Sequence, residues 1–157
     1  SQGHYIKCST PADWKYFCYE VSIDKGKAIK NKVFTIWGLS FKPGTNDVRG
    51  AVSIYIINQI LSNGGIINLY DPKAMDNIKS FFSDNKFINY FKDKYEAVDS
   101  ADALILLTEW PEFRSPDFNL LKQKLNNTLV FDGRNQYDKF YMKSLGFEYY
   151  QIGVESL

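Results

Sequence analysis

Cysteine and histidine are scarce in this sequence: Cys8, Cys18 and His4 are all that 157 residues supply. Two cysteines outside a CxxC spacing make no disulfide scaffold. With one histidine they do not reach the four ligands of a structural zinc site either. Long hydrophobic runs are missing too. The longest wholly apolar stretch is residues 103–107 (ALILL), far short of the roughly 20 residues of a membrane span, and no charged-then-apolar leader is visible. Nor is there an excess of either charge sign. Nineteen Lys and Arg face eighteen Asp and Glu, for a formal net charge of +1. That balance excludes a general electrostatic footprint for nucleic acid or an anionic membrane. An anion site would have to come from a few local basic residues. These counts describe a soluble, cytoplasmic domain without a metal. The start at Ser1 rather than Met reads as a fragment.

What is present is ample material for a core. Hydrophobic residues make up 45% of the chain, aromatics 17% and charged residues 24%, which argues against disorder and fits one domain. From residue 33 onward, short apolar runs alternate with helix-like stretches. VFTIW (33–37) is a β-branched and aromatic run ending at Gly38, and residues 39–50 (LSFKPGTNDVRG) read as a loop. In AVSIYIINQILSNGG, Ile54, Ile57 and Leu61 recur at helical spacing with Ile56 and Ile60 beside them, and Gly64-Gly65 stop the helix. IINLY (66–70) is the next strand, closed by Asp71-Pro72. A short helix follows over 74–82, a weaker strand over 87–91 and a helical turn or two over 95–101. ALILL is apolar on both faces, as buried parallel strands are. Phe118, Leu121 and Leu125 mark another helix, and residues 129–131 a strand before Asp132-Gly133-Arg134. Asp138 caps a helix running to Leu145, and 149–152 form the last strand.

Strands alternating with helices predict an α/β fold: a Rossmann-like, doubly wound, mostly parallel sheet of about six strands, ordered 3-2-1-4-5-6, with helices on both faces. The domain spans 33–157. Residues 1–32, with Pro11, an aromatic group (Trp14, Tyr16, Phe17, Tyr19) and a lysine-rich stretch, do not fit the alternation. They read as a helical or irregular lead-in, or a linker.

Ligands of such a sheet bind beyond the carboxyl ends of its strands. Three basic residues fall there: Lys42 and Arg49 after the first strand, and Arg134 after the fifth. Arginine suits bidentate phosphate contact and lysine acts as a point charge, so these three outline a phosphate or pyrophosphate rim. The plainer possibility is solvated loop charges. A dinucleotide fingerprint is missing. The first turn reads Gly38-Leu39-Ser40-Phe41-Lys42 rather than G-x-G-x-x-G. Asp71 lies 33 residues past Gly38, against about 20 for the ribose-binding acid, and reads as a turn residue. No nucleophile constellation stands out. Glu109 and Glu112 read as loop-holding residues, Trp110 and Phe113 as aromatic packing, and Tyr149 and Tyr150 as the two faces of an edge strand.

In order along the chain, WGLSFKPGTNDVRGAVS, LYDPKAM, EAVDSADALILLTEWPEF, VFDGRNQYD and GFEYYQIG resemble the C-terminal, UDP-binding domain of the UDP-glucose/GDP-mannose dehydrogenase family, in particular its UDP-glucose 6-dehydrogenases. The resemblance covers residues 30–153. It implies one part of an enzyme that uses NAD to oxidise the C6 alcohol of UDP-glucose to the carboxylate of UDP-glucuronate. By the same resemblance, Phe41, Lys42 and Arg134 are substrate contacts and Arg49 reaches towards NAD. NAD itself is held mainly by an N-terminal domain absent from this chain, and the full-length enzyme is a homodimer. No catalytic residue is carried over, because the nucleophilic cysteine motif G-x-C-F-P-K-D is missing and Cys8 (KCST) and Cys18 (FCYE) do not match it. Gly50-Ala51-Val52-Ser53 stands where the family often has D-A-P-S. Other readings are a stand-alone nucleotide-binding module without catalysis and an assembly domain that binds no nucleotide.

Overall fold

The structure is a computed structural model, and it describes residues 29–151. Cys8, Cys18 and most of the expected lead-in lie outside the described residues. Residues 29–32 form a turn that delivers the chain into β1 (Val33–Trp37). The order continues through α1 (Val52–Ser62), β2 (Ile66–Tyr70), α2 (Met75–Phe82), β3 (Ile88–Tyr90), α3 (Lys94–Val98) and β4 (Ala103–Leu106). A 3-10 turn (Pro111–Phe113), α4 (Phe118–Lys124), β5 (Leu129–Asp132), α5 (Lys139–Ser144) and β6 (Glu148–Gln151) complete it. The six strands lie in the order β3-β2-β1-β4-β5-β6, and every pairing is parallel. The sheet is thus wholly rather than mostly parallel, in the expected 3-2-1-4-5-6 order.

Alternation along the strands sends side chains into two cores. On one face Ile36, Ile67, Leu69 and Ile105 pack with Ile56, Ile57 and Ile60 of α1 and Ile78 of α2. On the other, Trp37, Leu104, Leu106 and Val130 meet Val98, Leu121 and Met142 from α3, α4 and α5. Tyr149 and Tyr150 face opposite cores as expected, yet both are buried.

The expected apolar face of α1, through Ile54, Ile56, Ile57, Ile60 and Leu61, packs on the core. Its buried stripe runs through Ser53, Ile56, Ile57 and Ile60, with Ile54 and Leu61 at its margin. The return from α1 to β2 packs closely on this stripe: a Cβ on Gly65 would stand 2.4 Å from Ile60 Cγ2.

Polar groups inside the second layer are paired. Thr35 Oγ1 and Asn68 Nδ2 both donate to Ala97 O, at 2.5 and 3.1 Å. They fix α3 across β1 and β2. The N-caps of α3, α4 and α5 are Asp93, Asp117 and Asp138, each accepting backbone N–H bonds of its own first turn.

Candidate functional site

The strand order reverses between β1 and β4, which makes their carboxyl ends the place where a ligand of this architecture binds. Four loops meet there: residues 38–51 after β1, 71–74 after β2, 107–117 after β4 and 133–138 after β5.

The floor between β1 and β4 is closed by the chain itself. Gly38 has φ +97°, and a Cβ on it would lie 2.5 Å from the backbone N of Thr108. Thr108 Oγ1 donates to Ser40 O at 2.6 Å, and Ser53 Oγ donates to Leu39 O at 2.7 Å. Asp71, 3% exposed, ties three loops together. One carboxylate oxygen accepts from Leu39 N (2.7 Å) and Trp110 Nε1 (3.1 Å). The other accepts from Lys73 N and Ala74 N, both at 2.8 Å. Asp71 is therefore the expected turn residue and also a clamp across the sheet. A dinucleotide needs close backbone approach between these strands. The first turn carries no glycine fingerprint of that kind.

Above the floor lie Phe41, Lys42 and Arg134. Arg134 reaches back from the β5 loop over the end of β4. Its Nε donates to Leu107 O (2.9 Å) and its Nη2 to Phe41 O (3.1 Å). Glu109 Oε2 stands 3.4 Å from the same Nε, with the two side chains 32% and 31% exposed. Phe41 is exposed, and Lys42 Nζ rides 5.4 Å from its ring centroid.

Arg49 is not part of this group. Its side chain is 90% exposed, and it grips Asp47 through Nε (3.0 Å) and Nη2 (2.8 Å). Those bonds hold the Asp47 carboxyl down at about 2 and raise the guanidinium. Arg49 lines a groove of about 620 Å³ against Asn77, Ser80 and Phe81 of α2. A second hollow of about 360 Å³ lies beside it, between residues 44–46 and Lys73. Phe41, Lys42 and Arg134 line neither.

The remaining loop residues are committed to the fold. Phe113 stacks on Trp37 with centroids 5.1 Å apart, and Trp110 is buried with its indole N–H on Asp71. Neither ring is open to a base, as expected. Glu112 accepts from the Tyr70 hydroxyl at 3.1 Å. Burial first, then Glu112, pushes that phenol up to about 12.

Sequence reasoning missed the support beneath Arg134. Asp132 is fully buried and accepts from the backbone N–H groups of Arg134 (3.0 Å), Gln136 (2.7 Å) and Tyr137 (3.0 Å). The Tyr149 hydroxyl stands 2.5 Å from its Oδ2. Burial pushes the Asp132 carboxyl up, against the pull of these donors. The aspartate of Asp132-Gly133-Arg134 was the available signal. Its tyrosine partner comes from the neighbouring strand and has no local signature. Among the described residues no group of three His, Cys, Asp or Glu side chains could hold a metal ion, and no helix is long and apolar enough to cross a membrane.

A wholly parallel doubly wound sheet, with Gly38 packed on Thr108 at its switch point and Arg134 lying across it, defines a Rossmann-like α/β domain. Residues 35–139 match the model of the UDP-glucose/GDP-mannose dehydrogenase family, UDP binding domain, and the chain belongs to that family. It is 36% identical over 127 residues to a UDP-glucose 6-dehydrogenase of Pseudomonas aeruginosa, covering 79% of this chain and 28% of that protein. It is 36% identical over 128 residues to one of Rhizobium meliloti, covering 82% and 29%. The chain thus spans less than a third of the length of these curated relatives. A solved NDP-N-acetyl-D-galactosaminuronic acid dehydrogenase from Methanosarcina mazei shares the fold. Its TM-score is 0.76 at 22% identity, over 92% of this chain and 29% of that one.

Proposed function

We propose that this chain is the UDP-sugar-binding domain, residues 33–157, of an NAD-dependent UDP-glucose 6-dehydrogenase that oxidises UDP-glucose to UDP-glucuronate. The observation that carries the reading is Arg134 lying across the switch point beside Phe41 and Lys42, in a chain that belongs to the family. In this reading Arg134 and Lys42 meet the diphosphate, and Phe41 lines its approach. NAD, which accepts the hydride, is held mainly by an N-terminal domain outside this chain. Arg49, on its separate groove, reaches towards it. The working enzyme is a cytoplasmic homodimer, and residues 1–32 are a lead-in to the domain. No step of the oxidation runs through the described residues.

NMR titration with UDP tests the assignment. Shifts are expected at residues 41–49 and 132–135. Arg134→Ala should lose about tenfold or more in affinity, the worth of a charge-assisted contact of about 1.5–3 kcal/mol. Lys42→Ala should lose less, because exposed charges are screened. Shifts elsewhere, or two mutants that bind like the wild type, refute it.

A further inference from the structure

Arg134 already has an anion beside it, Glu109. Two backbone carbonyls, Leu107 O and Phe41 O, fix the guanidinium in place, so positioning it does not require Glu109. Asp132, the other nearby carboxylate, is buried beneath and fully engaged with four donors. Glu109 is different. Its carboxylate stands 3.4 Å from Nε, and about a third of each side chain is exposed. Breaking this pair strands no buried charge. A phosphate that pairs with this guanidinium does so with the Glu109 carboxylate 3.4 Å from Nε.

We propose that Glu109 is a counter-ion gate on Arg134, lowering affinity for anions and closing the arginine to simple ones such as inorganic pyrophosphate. A nucleoside diphosphate enters because its base and ribose supply contacts that a bare anion lacks. The proposal rests on the reading that UDP binds at Arg134. At such separations each pair of unit charges interacts by about 1 kcal/mol in a watery surrounding. Neutralising Glu109 should therefore tighten diphosphate binding about three- to tenfold at low salt, with the gain shrinking as salt rises.

The experiment is an NMR titration of the whole chain and of Glu109→Gln with UDP, inorganic pyrophosphate and uridine. Glu109→Ala is a second variant should the amide fail to fold. The expected result has three parts: UDP binds Glu109→Gln about three- to tenfold more tightly, pyrophosphate binds the variant measurably better than the wild type, and uridine binds both equally. If UDP shifts residues 41–42 and 132–135 in both proteins with unchanged or weaker affinity in the variant, the gate is refuted while the UDP reading stands. A parallel loss of uridine affinity would make Glu109 an acceptor for ribose hydroxyls, which also refutes it. If no ligand perturbs those residues in either protein, the UDP reading fails and the gate falls with it.

Discussion

At Gly38 one added methyl group would run into backbone. Its φ of +97° suits glycine, and an added Cβ would overlap the backbone N of Thr108 at 2.5 Å. Backbone has no rotamer through which to yield. Strain from the left-handed conformation, about 1–2 kcal/mol, adds to overpacking of about 1–3 kcal/mol. Gly38→Ala is expected to lose about 3 kcal/mol in urea unfolding, and a loss below 1 kcal/mol would contradict the closed floor. The Asp47–Arg49 pair is the opposite case, exposed and separable. Arg49 holds the Asp47 carboxyl at about 2, below its ordinary 3.8. A depressed carboxyl contributes to stability above its unfolded value and loses that contribution as pH falls through about 2. So open a pair adds little stability, and NMR is the proper readout. The Asp47 carboxyl carbon should titrate near 2 in the wild type and move back towards 3.8 in Arg49→Gln.

Between β5 and β6 the bond that matters is the one from the Tyr149 hydroxyl to Asp132, 2.5 Å long. Tyr149→Phe removes a donor to a buried carboxyl and should cost about 1.5–3 kcal/mol. Burial raises the Asp132 pKa above its ordinary 3.8. Such a group contributes stability fully below the unfolded value and loses it as pH rises through the folded one. Tyr149 favours the ionised form, so urea midpoints of mutant and wild type should diverge as pH rises above 3.8. Converging midpoints would mean the hydroxyl serves Tyr137 O instead, 3.0 Å away. This bond also marks what could be foreseen from sequence. VFTIW, IINLY and ALILL betray their strands because a strand buried on both faces is apolar throughout. The aspartates at 93, 117 and 138 cap helices by local geometry, although only Asp138 was foreseen as a cap. The strand order is that of the Rossmann-type sheet which the alternation of strands and helices suggested. By contrast, the reach of Arg134 back to Phe41 O, the pairing of Glu109 and the Tyr149–Asp132 bond join residues brought together only by sheet order. Asp71 was legible as a turn residue, but not as a clamp on Leu39 and Trp110, since those loops meet it only in the folded sheet.

Within residues 29–151 the sheet has six strands, with helices covering both faces, and the chain spans 28% of its Pseudomonas relative. At the switch point Gly38 packs closely on Thr108. The sequence has two cysteines, and neither Cys8 nor Cys18 stands in the setting of the family's nucleophile. The oxidation proposed for the whole enzyme needs a hydride acceptor and, for its second step, a nucleophile. A domain able to grip the diphosphate can position the substrate without reacting with it. UDP-glucose and NAD incubated with the pure chain are accordingly expected to give no NADH above background, measured by absorbance over hours at micromolar protein. Retained UDP shifts in the same sample would show that the silent protein is folded and competent to bind. NADH production that scales with protein concentration would overturn the division of labour proposed here, placing a cofactor site within this chain.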